Sequence, residues 1–248
     1  MHIVALVLGT LCVLAVPARG QVNIEKLRTA SLGLSATGSV NAALRTGSVE
    51  RREIGFEGRF DFMGSSNATL VLLQSELGWQ DGRRYSNIAL SHLRHTLDLR
   101  PTVALEFFTQ IDYARQRRLD VRWLFGGGIR ISLVPGLYYG SAYMWELEDN
   151  DLSASAQHPR HTRHHRWSQY VSLRHETEQE VVGVASVYYQ ARFDDLSDHR
   201  VLAEARIAAP LTTRVALVAT FDLRRDSRPP DGVPDQDSRL GSRLAIDL

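Results

Sequence analysis

The feature of this sequence that most constrains its fold is a two-residue alternation of apolar and polar side chains. Between residues 102 and 114, one parity carries Val103, Leu105, Phe107, Ile111 and Tyr113, and the other carries Thr102, Glu106, Gln110 and Asp112. Successive side chains of a β-strand point to opposite faces, so such a segment predicts a strand with one apolar and one charged face. The same pattern returns near residues 54–62, 215–224 and 240–248.

About twelve such segments follow one another. Their predicted starts lie near Leu32, Glu53, Ala68, Tyr85, Thr102, Leu119, Leu137, Trp167, Val181, Val201, Arg214 and Ser238. The even-numbered links between them are short and rich in turn residues, whereas most odd-numbered links are longer, above all residues 148–165 and 225–238. Short periplasmic turns alternate with longer external loops in outer-membrane barrels. We therefore predict an all-β fold, an antiparallel transmembrane β-barrel of about twelve strands in an up-and-down meander over residues 32–248.

A soluble periplasmic β-sandwich that binds a lipid or a protein partner is the alternative, because its strands alternate as well. The order of the links favours the barrel, and so does the position of large aromatic residues close to the predicted outer loops: Trp79, Tyr113, Trp145, Trp167 and Phe193. The fourth strand fits worst, because Ile88 and Leu90 have one parity and Leu93, Leu97 and Leu99 have the other. A bulge or a misplaced boundary would explain this mismatch.

The N-terminus predicts export. An apolar run from Ile3 to Val16 is too short to span a bilayer, and the small-x-small triplet of residues 18–20 follows it. We interpret residues 1–20 as a signal peptide and residues 21–31 as a short periplasmic segment. The single cysteine, Cys12, lies in the signal peptide. The expected location is the outer membrane of a Gram-negative bacterium.

The charged strand faces would line the lumen of such a barrel. The lumen-lining candidates are Glu57, Arg59, Asp61, Glu106, Asp112, Arg122, Arg130, Glu204, Arg206, Asp222, Arg224 and Arg243. An unpaired ion in a dry interior costs several kcal/mol, so these charges need water or partners of opposite sign. Two interpretations stay open: a lattice of salt bridges that braces the wall, and a channel for small solutes.

The stretch HPRHTRHHRW, residues 158–167, contains His158, His161, His164 and His165 and is expected in the fourth external loop. The spacing of His161 with His164 or His165 is compatible with metal chelation. The interleaved arginines would repel a cation and would suit anionic groups such as lipopolysaccharide phosphates. A solvated or lipid-contacting loop, a functional anion contact and a weak metal site are the three hypotheses.

Four segments carry a resemblance to a known family: NIEKLR at 23–28, SHLRH at 91–95, RRLDVRWLFGGGIR at 117–130 and RVLAEARI at 200–207. With these segments the chain resembles the bacterial salt-induced outer membrane proteins, a family built on a domain of unknown function. The resemblance implies an outer-membrane β-barrel and no defined substrate or activity. The glycines at 126–128 lie in mid-strand, where glycine marks a bend or the close approach of a bulky neighbour.

Enzyme motifs are missing from the sequence. It contains no G-x-S-x-G and no H-E-x-x-H, and Ser91 and His92 would point to opposite faces of a strand. We expect neither catalysis nor a cofactor. With 29 basic and 28 acidic residues, the charge does not favour nucleic acid. The expected partners are outer-membrane lipid, lipopolysaccharide and the barrel assembly machinery, and the oligomeric state is open. The expected role is a structural or envelope-stress protein or a narrow channel.

Overall fold

A computed structural model describes residues 32–212 and 215–246, without the side chains of residues 243, 245 and 246. The expected signal peptide and the segment at 21–31 lie outside these residues. Twelve strands follow one another: β1 (Gly33–Arg45), β2 (Arg51–Met63), β3 (Asn67–Gln80), β4 (Arg83–Arg100), β5 (Val103–Ala114), β6 (Leu119–Val134), β7 (Leu137–Asn150), β8 (His161–Glu176), β9 (Val182–Arg192), β10 (His199–Pro210), β11 (Val215–Asp226) and β12 (Gln236–Ile246). Among the described residues, no helix is long and apolar enough to cross a membrane.

Each strand pairs with the next strand of the chain, always antiparallel, in a single sheet ordered from β1 to β12. The sheet curls around a common interior, because side chains from distant strands meet there. The Tyr170 hydroxyl on β8 donates a hydrogen bond of 2.6 Å to a carboxylate oxygen of Glu106 on β5. The Arg94 guanidinium on β4 lies 5.9 Å from the centre of the Tyr170 ring. The predicted up-and-down β-barrel is confirmed.

The two faces of the sheet are inverted relative to a soluble protein. Apolar side chains point outward and stay exposed, for example Phe107 at 52% and Val187 at 50%. Charged side chains point inward and are buried, including Arg130 at 1% and Glu146 at 0%. A β-sandwich in water would bury the first set and expose the second. The sandwich alternative is therefore wrong, and the apolar outer face is that of a transmembrane barrel.

Strand β4 is regular where the sequence pattern was ambiguous. Ile88 and Leu90 point inward and are buried, whereas Leu93 and Leu97 point outward. Leu90 packs in the interior against Leu70 and Leu72 of β3. The mismatch thus comes from an apolar patch on the inner face and not from a bulge, since the register irregularities of β4 lie near its two ends.

The three consecutive glycines of β6 lie where neighbouring groups approach the strand closely. A Cβ atom on Gly126 would come within 2.2 Å of the Phe108 ring, and one on Gly140 of the next strand would come within 2.0 Å of the Tyr170 ring. A Cβ atom on Gly128 would meet the backbone of residue 141 at 2.1 Å. The expectation that bulky neighbours approach closely here is confirmed.

The links differ at the two ends of the barrel. One end, called the turn end, has links as short as residues 101–102 and 135–136, and the other end, called the loop end, has the long loops 151–160 and 227–235. Two loop-end links are short: residues 115–118 and the two-residue turn Asp81-Gly82, whose φ angles of 48° and 77° suit an Asp-Gly hairpin. The predicted alternation in length holds apart from these two links.

Strand β8 begins at His161, whereas the sequence predicted a start near Trp167. The expected loop of residues 148–165 is correspondingly wrong, and only residues 151–160 connect the two strands. The reason is that polar and charged side chains occupy both faces of β8 before Trp167, so the apolar periodicity begins late.

Candidate functional site

The interior near the loop end is filled by ion pairs. Glu146 accepts a hydrogen bond of 2.7 Å from Nε of Arg166 and one of 2.5 Å from Nη1 of Arg200. Arg200 also contacts Glu148 at 2.7 Å and Asp226 at 2.8 Å. These five side chains come from β7, β8, β10 and β11 and are all nearly inaccessible to water. We call this group, together with Asp112, Arg117 and Arg122, the loop-end cluster.

The cluster continues onto β5 and β6. Arg122 binds Asp112 with both ends of its guanidinium, at 2.9 and 3.0 Å, and Arg117 adds a third contact to Asp112 at 3.2 Å. Nη1 of Arg122 also lies 3.7 Å from Glu148. Bidentate arginine–carboxylate pairs are among the strongest hydrogen-bonded ion pairs, and they fix geometry as well as charge. The cluster therefore ties four neighbouring strands and β10 and β11 together.

A second group, the turn-end cluster, surrounds Glu106. Its carboxylate lies 3.1 Å from Nη1 of Arg94 and 3.6 Å from Nη1 of Arg130, and it accepts the hydrogen bond from Tyr170. The Arg130 guanidinium lies 3.8 Å from the centre of the Tyr138 ring. Below the cluster, towards the turn end, is a cavity of about 370 Å³ that Arg130 and Tyr138 line. On the side of the barrel that contains them, the turn-end cluster and the loop-end cluster together fill the interior between this cavity and the loop end.

The opposite side of the interior is different. The register with β2 places Ser35, Thr37, Ser39 and Asn41 of β1 on the inner face; all four are small and polar, the first three are exposed and Asn41 is half-buried. We call this set the open wall. The inner faces beside it carry half-buried charges: Glu57 accepts a hydrogen bond of 3.3 Å from Gln74. Glu76 of β3 interacts electrostatically with Arg239 of β12.

The lumen-lining candidates divide between these two sides. Glu106, Asp112, Arg122 and Arg130 are buried in the clusters. Asp61 is buried on β2, where it accepts a hydrogen bond of 2.9 Å from Arg59. The candidates that keep partial access to water are Glu57, Arg59, Glu204, Arg206, Asp222 and Arg224. The side chain of Arg243 lies outside the described part of the chain.

Three arginines central to the clusters were not among the candidates. Arg166 and Arg200 each stand one residue before a predicted strand start, and Arg94 lies on β4, whose facing the pattern left undecided. A signal was present for Arg166, because Thr162, His164, Arg166 and Ser168 continue the polar parity of β8 upstream.

Loop 227–235 lies over the mouth of the loop end. Its Asp231 carboxylate accepts hydrogen bonds from the backbone N–H groups of His158 at 2.7 Å and Gln157 at 3.3 Å, which lowers the pKa of Asp231 below its ordinary value. Its Arg228 binds Asp195 of loop 193–198 at 2.6 Å. Beneath the loop, a cavity of about 20 Å³, room for about one water molecule, borders the loop-end cluster.

The four candidate histidines do not converge. His158 lies in loop 151–160, and the other three lie on β8, where His161 and His165 point outward and the half-buried His164 points inward. Neither of the two considered pairings is formed: His161 and His164 face opposite sides of the strand, and His161 and His165 share a face but stand four residues, about 13 Å, apart. His161 instead contacts Asp149 at 2.8 Å, and His165 hydrogen-bonds to the Tyr143 hydroxyl at 2.5 Å. Among the described residues, no three His, Cys, Asp or Glu side chains are grouped to hold a metal ion.

Comparison with known proteins gives likeness to solved structures only. The chain is similar to the NanC porin, with a TM-score of 0.47, 10% identity and coverage of 87% of this chain and 99% of that one. It is also similar to the β domain of the Bordetella autotransporter BrkA, with a TM-score of 0.36, 15% identity and coverage of 85% and 96%. No protein-family model and no curated protein matches the sequence. The fold assignment rests on the strand order and on the two faces described above.

Proposed function

We propose that this protein is an outer-membrane β-barrel that acts as a narrow channel for small hydrophilic solutes. The observation that carries the proposal is the open wall: the inner face of β1 presents four small polar side chains, of which Ser35, Thr37 and Ser39 are exposed and Asn41 is half-buried. Half-buried charges of both signs border it, which suits small ions and polar solutes of either charge. Because the two clusters fill the other side, the aqueous path runs off-centre, along β1 and its neighbours.

Conductance across a planar lipid bilayer tests this proposal. The wild-type protein is expected to give small, steady current steps. Ser39→Trp combined with Thr37→Trp should reduce the step size severalfold, because two indole rings would narrow the path beside the open wall. Val40→Trp is the matched control, since Val40 is the next residue of the same strand but points outward to lipid. Absence of steps in the wild type, or an equal reduction by Val40→Trp, would overturn the channel.

A structural role in the cell envelope is the second candidate, and the loop-end cluster favours it. Buried ion pairs that join six strands stiffen a barrel whether or not solutes pass through it. A deletion strain that leaks periplasmic contents under osmotic stress, and that is rescued by the Ser39→Trp, Thr37→Trp protein, would support this role. Rescue by the wild type alone would favour the channel.

The location and the partners belong to the same proposal. An outer-membrane barrel of a Gram-negative cell would contact lipopolysaccharide and would be inserted by the barrel assembly machinery. The apolar outer face and the resemblance to salt-induced outer membrane proteins support this location. The protein should stay in outer-membrane fractions washed with urea and should migrate differently on a gel before and after boiling. Release into the wash would contradict the proposal.

A further inference from the structure

The outward face of β8 changes character along its length. From Trp167 towards the turn end it carries Val171 and Leu173, which are exposed apolar side chains. Before Trp167 it carries His161, Arg163 and His165, which are exposed and basic. We call these three residues the basic stripe. Because the outward side chains below it face lipid, the stripe begins where the apolar outer surface ends.

Aromatic residues mark this boundary. On the outward face, Trp145 of β7 stands opposite His165, and Tyr143 stands opposite Trp167. Tyr143 also stacks with Phe193 at the end of β9, with 6.1 Å between ring centres. Exposed tryptophan and tyrosine belts lie at the level of lipid headgroups in membrane proteins. Four residues of a strand span about 14 Å, or about 10 Å along the membrane normal for a strand tilted by about 45°, so Arg163 stands on the loop-end side of the Trp167 level, at the outer edge of the headgroup layer.

The charges around Arg163 leave it available to a ligand. Within the described residues, the Arg163 guanidinium makes no hydrogen bond and no ion pair, and its cross-strand neighbour on β7 is Leu147. The nearby carboxylate of Asp149 is engaged by His161 at 2.8 Å. The carboxylate of Asp194 in the adjacent loop is engaged by Arg192 at 2.6 Å. The stripe therefore presents an uncompensated positive charge beside an apolar surface.

We propose that the basic stripe binds a phosphate group of an outer-leaflet lipid of the lipid A type. Arg163 contacts the phosphate, His165 donates a second hydrogen bond from its imidazole, and His161 keeps its contact with Asp149. The acyl chains of the lipid lie against Trp145 and Phe193. A guanidinium matches a phosphate with two parallel N–H groups, and the flanking apolar face matches the chains. This site is on the outer surface, and it is independent of any conduction through the interior.

Native mass spectrometry of the full-length protein in detergent tests the site. The probes are diphosphorylated lipid A, the same lipid after enzymatic dephosphorylation, and inorganic phosphate. The wild type should retain diphosphorylated lipid A through detergent exchange and should retain the dephosphorylated lipid at least tenfold less. Millimolar inorganic phosphate should not displace the bound lipid, because the acyl chains contribute to its affinity. Displacement would show that the ligand is a free anion and would overturn the lipid assignment.

Arg163→Ala should weaken lipid A binding about tenfold, the effect of losing one charge-assisted contact. Arg163→Lys should lose less, since it keeps the charge without the paired N–H groups. Arg100→Ala is the matched control, because Arg100 is an exposed arginine at the turn end of β4 and faces the other leaflet. All variants must keep the gel shift on boiling. Wild-type binding by Arg163→Ala, or equal weakening by Arg100→Ala, would overturn the proposal.

Discussion

The interior of this barrel has two sides that accommodate inward-facing polar side chains in opposite ways. On β5 to β8 the inward side chains are long, charged and buried, and they reach each other across the interior. On β1 the side chains of the open wall are small, polar and exposed or half-buried. Charged side chains that exclude water need partners, whereas small hydroxyl and amide groups can stay hydrated. The difference shows that one barrel can combine a wall of buried ion pairs with a wall of small hydrated side chains.

The largest effect should come from breaking the loop-end cluster. Glu146→Gln would leave Arg166 and Arg200 without the carboxylate they share, so we expect a loss of about 3–5 kcal/mol in the free energy of unfolding. Urea unfolding in lipid vesicles, followed by tryptophan fluorescence, measures it. The matched control is Glu57→Gln on the opposite side, expected to cost less than about 1 kcal/mol because Glu57 is half-buried. Equal losses for both variants would contradict the division of the interior into two sides.

A smaller effect should follow from removing the hydrogen bond that spans the turn-end cluster. Tyr170→Phe deletes the hydroxyl that donates to Glu106 and is expected to cost about 1.5–3 kcal/mol, the range for a hydrogen bond to a charged group. The same urea titration measures the change. Tyr189→Phe on β9 serves as control, because Tyr189 points outward. A cost no larger than that of the control would mean that the contact across the interior contributes nothing.

The smallest effect concerns loop 227–235. The pKa of Asp231 is lowered in the folded protein, so the contact with loop 151–160 is fully present above the ordinary aspartate pKa of about 4 and is lost as the pH falls through the lowered value. A spin label on Pro234→Cys, followed as the pH is lowered from 7, should become more mobile below the lowered pKa of Asp231 than it is at pH 7. In Asp231→Ala the label should be mobile at both values. If the wild-type label had the same mobility at both pH values, the carboxylate of Asp231 would not be what holds loop 227–235 against loop 151–160.

Release of loop 227–235 also tests which side of the interior solutes would follow. The loop borders the loop-end cluster, which contributes Glu148, Arg200 and Asp226 to the cavity beneath it. If solutes pass along the open wall, Asp231→Ala should change the bilayer conductance by less than about twofold, the change corresponding to a few tenths of a kcal/mol in barrier height. A severalfold increase would place the path under the loop instead.

The sequence predicted most of the fold because outward apolar and inward polar side chains alternate with a period of two residues along each strand of a membrane barrel. Eleven strand starts lie within two residues of their predicted positions, and β8 is the exception. The partners inside the barrel could not be predicted, because they depend on the curvature and stagger of the sheet. Nothing in the spacing shows that Arg200 reaches Glu146 and Glu148, which lie more than fifty residues away.

The connection between β7 and β10 has a consequence for the order in which the barrel is built. Each strand pairs with the next strand of the chain, so its pairing partner is always close in sequence. Glu146 and Glu148, however, have no Arg200 until three further strands have been placed. Before that, Glu146 has Arg166 of β8 and Glu148 has the more distant Arg122 of β6, so their negative charge is only partly compensated. Arrival of β10 therefore completes the charge compensation of Glu146 and Glu148.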